Sequence, residues 1–228
     1  MKAVILAAGA ATRMRPLTDT KPKALIEVAG KPFLAWQLDL LRAAGITECV
    51  IIVGYLGDQI REYVKTQDMK ITCVEQKEPK GTGHALLMCK DYMDEPFLLI
   101  HGDNLWSLND VKLLQEATDW GILGQKVENP SKYGVLIVKD GLLERIEEKP
   151  QEFVGDLIYS GALKLTPEVF TILEKLEPSP RGEIELTDAL SEYAKNNKVF
   201  VLTIQDYWLD LGCVEDVEKL NAFLEENN

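Results

Sequence analysis

The 228-residue chain carries 25 Lys+Arg against 37 Asp+Glu, a formal net charge of −12, and 46% of its residues are hydrophobic. Such a composition belongs to a folded globular protein and excludes disordered, collagenous and fibre-repeat chains, while the acidic balance argues against non-specific nucleic-acid or anionic-membrane binding, which needs a positive footprint. Any anionic ligand must then be met by a local basic cluster, and the length suits one large α/β domain.

Residues 2–8 form an apolar run closed by Gly9, a strand leading into a loop, and residues 32–44 place Phe33, Leu34, Leu38 and Leu41 at helical spacing. A β-branched run at 48–53, an amphipathic stretch at 58–65 with Ile60 and Val64 four apart, and a strand-like segment at 70–75 complete a β-α-β-α-β order. Residues 83–90 read as a helix after the turn at 79–81, and 97–100 as a buried strand ending in His101-Gly102-Asp103-Asn104. This alternation predicts a parallel sheet with helices on both faces. After 108–118 the pattern changes to strands at 121–127, 134–139 and 142–147, with the hairpin pair Asp140-Gly141, so antiparallel strands should extend the sheet. A strand at 157–165, helices at 167–176 and 184–195, a strand at 199–204 and a helix at 214–226 follow. The loop at 178–181 is too short to separate domains.

Cys49, Cys73, Cys89 and Cys213 show neither CxxC nor Cys/His ligand spacing, which predicts reduced thiols and a cytoplasmic protein. Residues 3–11 are apolar behind Lys2, but Arg13 and Arg15 follow at once and no disulfide framework lies downstream, against a secretory signal. No stretch approaches the ~20 apolar residues that span a bilayer.

The first chemically informative segment is the loop of small residues after the first strand. Backbone N–H groups in such a loop can approach a phosphate, and Arg13 and Arg15 add charge there. The loop lacks the Gly-Lys-Ser/Thr of a P-loop. It also lacks the dinucleotide fingerprint, since only Gly9 is glycine and Ile51-Ile52-Val53-Gly54 carries no ribose-binding acid. Alone it reads equally as a plain β-α turn. Lys21-Pro22-Lys23 brings the basic residues of this region to four in an acidic chain, with a proline stiffening the loop; a solvated basic loop is the alternative.

From Leu6 to Leu25 the chain resembles the sugar-1-phosphate nucleotidylyltransferases, the family that makes NDP-sugars, with the pattern L-A-A-G-x-G-T-R-x-x-P-L-T followed by K-P-K/M-x-L. It departs once, with Ala11 where the family's second glycine stands. A methyl group is a small perturbation at negative φ, but a positive φ would force the loop to shift, which puts nucleotide affinity at stake. The resemblance implies nucleotide binding by Leu6, Ala8, Gly9, Ala10, Ala11 and Thr12, with Arg13 and Lys23 as the catalytic cations on the triphosphate and α-phosphoryl group.

Glu75-Gln76 and Lys80-Gly81-Thr82-Gly83-His84-Ala85-Leu86 are similar to the family's base-recognition strand and loop. Gln76 would pair with the pyrimidine edge, its carboxamide both donating and accepting beside uracil or thymine N3–H and C4=O, with the Gly81 N–H on a ring carbonyl and Thr82 alongside. Without that context Gln76 reads as an exposed polar strand end. Gly102-Asp103-Asn104 resembles the G-D-N/D/V step and Trp208-Leu209-Asp210-Leu211-Gly212 the W-x-D-x-G step, which implies that Asp103 and Asp210 hold Mg²⁺. Either Asp alone is more often a turn or helix cap.

Four further matches imply the sugar-phosphate side: Tyr133-Gly134, Glu148-Lys149-Pro150, Tyr159-Ser160-Gly161 and the stretch from Arg181 to Asp188, with Asn104 beside them. Glu148 is expected on sugar hydroxyls, and Lys149 and Arg181 on the sugar phosphate. Their ordinary readings are a turn glycine, a charged hairpin end, a packing tyrosine and, for Glu183, Glu185 and Asp188, helix caps. His84 and His101 read as structural, and Trp36, Trp106 and Trp120 as packing.

The resemblance implies a Rossmann-like three-layer αβα nucleotidyltransferase fold with a mixed, mostly parallel sheet, a single domain over 1–228 with a nucleotide half (1–125) and a sugar half (126–228), and no C-terminal β-helix domain. Its reaction joins an NTP, UTP or dTTP favoured, to a hexose 1-phosphate such as glucose 1-phosphate or N-acetylglucosamine 1-phosphate. The sugar phosphate attacks the α-phosphorus in line with Mg²⁺, and pyrophosphate leaves. The expected partners are these small molecules, with no nucleic acid and no membrane; a homo-oligomer is left open. The competing readings are an inactive nucleotide-sugar-binding regulatory subunit on the same fold, against which the retained Arg13, Lys23, Asp103, Lys149 and Asp210 argue, and an NAD(P)-dependent oxidoreductase, against which the broken glycine fingerprint argues.

Overall fold

A computed structural model describes residues 1–227. Its strands are β1 (Lys2–Ala7), β2 (Glu27–Val28), β3 (Lys31–Pro32), β4 (Glu48–Val53), β5 (Lys70–Glu75), β6 (Phe97–His101), β7 (Asn104–Trp106), β8 (Trp120–Lys126), β9 (Gly134–Lys139), β10 (Leu142–Glu148), β11 (Leu157–Leu165), β12 (Val199–Thr203) and β13 (Trp208–Asp210). Its α-helices are α1 (Phe33–Ala43), α2 (Gly57–Val64), α3 (Thr82–Leu87), α4 (Leu108–Glu116), α5 (Glu168–Leu173), α6 (Leu186–Ala194) and α7 (Val214–Glu226).

Nine of these strands form one sheet in the order β5-β4-β1-β6-β11-β8-β12-β10-β9. The block β5-β4-β1-β6 is parallel throughout, as the β-α alternation predicts. Side chains alternate through it: Ala3 and Ile5 pack with α1, α4 and α7, whereas Val4 packs with α3, α5 and α6. The result is the expected three-layer arrangement. Strands β10 and β11 run against the others, so the sheet is mixed but mostly parallel in direction.

The chain order reverses at β1, which has β4 on one side and β6 on the other. Where strand order reverses, the loops leaving neighbouring strands diverge and open a crevice at their carboxyl ends. Gly9 follows β1 and Gly102-Asp103 follows β6, so both motifs lie at this crevice.

Beyond the parallel block, β11 inserts antiparallel between β6 and β8, and β12 joins β8 in parallel. The hairpin β9–β10 turns through Asp140 and Gly141, both at positive φ (52° and 77°), as its sequence predicts, and lies at the outer edge of the sheet. Four short strands escape the sequence pattern: β2 with β3, and β7 with β13. Helices come out shorter than expected. The stretch 83–90 becomes α3 and a separate 3₁₀ turn at Lys90–Tyr92, and 167–176 contracts to α5. Trp106 and Trp120 are fully buried, Trp120 stacks on Tyr193 at 3.6 Å, and Trp36 lies under the Lys31 ammonium, so all three pack as expected.

Candidate functional site

The loop leaving β1 is held by its own backbone. The Ala11 carbonyl accepts from the Met14 N–H (2.9 Å) and the Thr18 hydroxyl (3.0 Å), which fixes Ala11 at φ 46°, ψ 50°. Thus the position does take the left-handed conformation, with an alanine in it. For a residue with a Cβ that conformation costs about 1–2 kcal/mol. Leu6, Ala8, Gly9, Ala11 and Arg13 line a cleft of ≈ 360 Å³ at the reversal point, whereas Ala10 and Thr12 belong to the loop without lining it.

Lys23, Gln76, Gly81, Thr82 and Asp103 complete that cleft with His101 and Glu183. Lys23 is only 12% exposed, and its ammonium lies 2.8 Å from Asp103 Oδ2. Burial is the largest influence on Asp103 and works against its ionisation, but the Lys23 charge, His101 and the hydrogen bonds from Lys23 and the backbone together outweigh it and hold the carboxyl below its usual range. The basic cluster read from the sequence therefore divides. Arg15 pairs outward with Asp19 and Lys21 with Glu27, while Arg13 and Lys23 face the cleft. Arg13 has no ion-pair or hydrogen-bond partner among the described residues, which leaves its charge available.

Gln76 is 8% exposed rather than an open strand end. Its Nε2 donates to the Gly81 carbonyl (3.1 Å) and lies 2.9 Å from His84 Nδ1. Both amide hydrogens are thereby engaged inside the protein, which corrects the expectation that this carboxamide donates and accepts at once: only Oε1 is left for a ligand. Gly81 sits at φ 96°, and a Cβ there would come within 2.5 Å of the Ile184 carbonyl, so glycine alone fits. The loop is stitched to the far side of the site by Ile184 N–H to Lys80 O and Gly83 N–H to Ile184 O, each 2.8 Å, and by Leu186 N–H to the Thr82 hydroxyl.

A second cleft of ≈ 560 Å³ adjoins the first, and Arg13, Thr82, His101, Asp103 and Glu183 line both. Asn104, Tyr133, Gly134, Glu148, Lys149, Tyr159, Gly161, Arg181 and Asp210 all line this second cleft. Two of them are placed by the three-residue ladder of β7 with β13, which sets Asn104 opposite Asp210 and joins the Leu211 N–H to the Asp103 carbonyl (2.8 Å). The ladder is anchored on β11 through Ser160, whose hydroxyl accepts from Trp106 Nε1 and whose carbonyl accepts from Trp208 Nε1. Asp210 then accepts from Asn104 Nδ2 (2.9 Å) and the Tyr133 hydroxyl (3.2 Å). Burial first, and the negative charge of Asp103 second, push its pKa up to about 6. Gly161, at φ 91°, gives the Asn104 side chain its space, since a Cβ there would come within 2.3 Å of Asn104 Oδ1.

Arg181 reaches Glu185 at 2.6 Å, Glu148 at 3.7 Å and Glu183 at 3.9 Å. Glu185 stands at the N-cap of α6 but makes no side-chain cap bond, so the helix-cap reading gives way to one in which the carboxylates orient the guanidinium. Lys149, a non-glycine residue at φ 47°, donates its N–H to the Tyr133 carbonyl (3.0 Å) and keeps its ammonium about half-exposed at the second cleft. Sequence reasoning took both histidines as structural; the structure instead puts His84 on Gln76 and His101 on the wall of both clefts, 3.3 Å from the Tyr159 hydroxyl. Thr187 and Trp208 also line the second cleft. Their only signal in the sequence is membership of motifs whose charged members drew attention first.

A family model described as nucleotidyl transferase matches residues 2–227. A bifunctional sugar-1-phosphate nucleotidylyltransferase/acetyltransferase of Sulfurisphaera tokodaii is 38% identical over 231 residues, covering 100% of this chain and 56% of that protein. A UTP–glucose-1-phosphate uridylyltransferase of Haloferax volcanii is 35% identical, covering 99% of this chain and 97% of its own length. Among solved structures, a UDP-glucose pyrophosphorylase complexed with UDP-glucose superposes with a TM-score of 0.88 at 26% identity, covering 100% of this chain and 99% of that one. The chain thus spans about half the length of the bifunctional relative and nearly all of the other two.

Proposed function

Because the chain belongs to the nucleotidyl transferase family, we propose that its paired clefts join a nucleoside triphosphate to a sugar 1-phosphate, forming an NDP-sugar and releasing pyrophosphate. The observation that carries this reading is the juxtaposition of two clefts sharing Arg13 and Asp103, with Lys23 2.8 Å from Asp103. A phosphate monoester is already a nucleophile, so no catalytic base is required. The protein has to bring two polyanions together and stabilise the charge that develops on the α-phosphoryl group and the leaving pyrophosphate.

In this reading the small-residue loop from Leu6 to Thr12 offers backbone N–H groups to the nucleotide, with Arg13 on the triphosphate and Lys23 on the α-phosphoryl group. Lys149 and Arg181 meet the sugar phosphate. Glu148 meets sugar hydroxyls, and Asn104, Tyr133, Gly134, Tyr159 and Gly161 shape the sugar cleft. Gln76 presents an acceptor to the base, which suits the N3–H of uracil or thymine and opposes the bare N3 of cytosine. UTP or dTTP is accordingly the favoured nucleotide, and one similar protein is named as a UTP–glucose-1-phosphate uridylyltransferase.

The donor set fits a divalent cation. Asp103 and Asp210 converge from two strand ends, and Asp210 is made hard to ionise by burial and by its acidic neighbour, a conflict that a hard cation relieves. Those two carboxylates would hold Mg²⁺, which when bound supplies neutralising charge to the phosphate oxygens. The reading is tested by pyrophosphate release with Mg²⁺ across UTP, dTTP, CTP, GTP and ATP against glucose 1-phosphate, N-acetylglucosamine 1-phosphate and other sugar 1-phosphates. A signal confined to UTP or dTTP with a hexose 1-phosphate is expected. Silence across the panel with nucleotide binding intact would move the assignment to a nucleotide-sugar-binding regulatory protein.

A further inference from the structure

His84 lies one turn into the loop-helix segment that follows Gln76, on α3, and its ring nitrogen Nδ1 is 2.9 Å from Gln76 Nε2. The same amide nitrogen is 3.1 Å from the Gly81 carbonyl. A carboxamide nitrogen has two hydrogens, and the Gly81 oxygen can only accept, so the atom facing it must be the nitrogen. One hydrogen goes to Gly81 and the other to His84, which requires Nδ1 to be bare and the ring proton to reside on Nε2. Burial, and after it the nearby Lys80 charge, lower the affinity of the ring for a second proton, with Glu78 opposing. Turning the amide over would set its oxygen against the Gly81 carbonyl and leave the His84 lone pair without a donor.

We propose that His84 is a positioning residue for base selection: by accepting from Gln76 it keeps the amide oxygen turned toward the nucleotide cleft, so that a ring N–H is accepted and a bare ring nitrogen refused. The inference deepens the nucleotide-binding reading given above and rests on it. The Gly81 carbonyl divides its two lone pairs between the Ala85 N–H and one Gln76 amide hydrogen, so His84 is the acceptor that holds the other and adds to the preference for this amide orientation. Without His84 the second amide hydrogen loses its partner, and the turned amide, which would donate to cytosine N3, becomes competitive.

The test uses the full chain as wild type, His84→Ala and His84→Asn, titrated with UTP and with CTP, alongside turnover with the preferred sugar 1-phosphate. His84→Ala is expected to lower the ratio of CTP to UTP dissociation constants by about tenfold, raise KM for UTP and leave kcat within about threefold. His84→Asn, whose Oδ1 can stand where Nδ1 stands, should keep the ratio within about twofold of wild type. An unchanged ratio in His84→Ala overturns the proposal, as does a ratio lost equally in His84→Asn. ¹⁵N NMR of the imidazoles in the wild-type protein, which has only two histidines, gives a check that needs no variant to fold. An unprotonated Nδ1 on His84 supports the proposal and a protonated one overturns it. Equal binding of UTP and CTP by wild type also overturns it, whereas selective UTP binding without any NDP-sugar product overturns the proposed reaction and leaves His84 its role.

Discussion

Ala11 holds a backbone conformation that the side chains of L-residues avoid, and it does so because its carbonyl is pinned by Met14 and Thr18. Ala11→Gly should therefore stabilise the protein by about 1 kcal/mol, read as a higher urea midpoint at unchanged slope. Lys23 presents the opposite case, a side chain placed for chemistry. Lys23→Ala should cut kcat about 10²–10³-fold with a smaller change in KM, and a near-wild-type rate would remove it from the catalytic assignment. Asp210 joins the two concerns. Its folded pKa of about 6 stands above the ordinary 3.8, so ionising it costs the folded state nothing below pH ~4 and the full amount above pH ~6. Asp210→Asn should consequently stabilise the metal-free protein by about 3 kcal/mol at pH ~7, lose that gain by pH ~4, and abolish Mg²⁺-dependent turnover. Thermal melts at the two pH values check the sign.

At the scale of elements, the β7–β13 ladder depends on the segment between β12 and β13, and that segment is tied to α4 by a buried carboxylate. Asp110, fully buried, accepts from the Ser107 hydroxyl (2.6 Å), the Gln205 N–H (2.7 Å) and the Asp206 N–H (3.4 Å), while Ser107 caps α4 by accepting from the Asp110 N–H. Asp110→Ala leaves those donors buried and unpaired, and should cost about 3 kcal/mol in a denaturant titration. None of this network was legible in the sequence, where Asp110 looked like any acid in a first turn. What was legible depended on repetition. Six-residue strands such as ECVIIV, the spacing of Phe33, Leu34, Leu38 and Leu41, and Asp140-Gly141 each carry a local physical signal that the fold honours. The ladder of β7 with β13 did not, because three-residue strands are too short to repeat the two-residue alternation of a strand and are specified by what they pack on, here Ser160. The site shows the same divide. Residues in contiguous motifs were found, but Gln76 with His84, and Arg181 with its three carboxylates, required distances that spacing does not carry.

One nine-stranded sheet carries both clefts, with β11 paired to β6 on one edge and β8 on the other, and with the loop before α3 bonded to the segment before α6. The two clefts are therefore expected to unfold together. Calorimetry should accordingly give a single transition, and a nucleotide sugar at about 100 times its dissociation constant should raise the entire transition by about 5–10 °C. Two resolved transitions, with only one shifted, would contradict this. The net charge of −12 adds a second whole-molecule feature, since phosphates approaching an acidic molecule meet a local group of cations, Arg13, Lys23, Lys149 and Arg181, at the clefts.

The ladder that sets Asn104 beside Asp210 also has a consequence in time. Its two strands are separated by most of the second half of the chain, and Asp103 meets its fellow carboxylate only once β13 has been laid against β7. During synthesis the loop after β1 and the loop before α3 emerge long before residue 210 does. The loop before α3 must still wait for Ile184 and Leu186 to emerge before its backbone is paired, and the second acid comes later again, so a growing polypeptide completes neither cleft until that last strand has been released and docked.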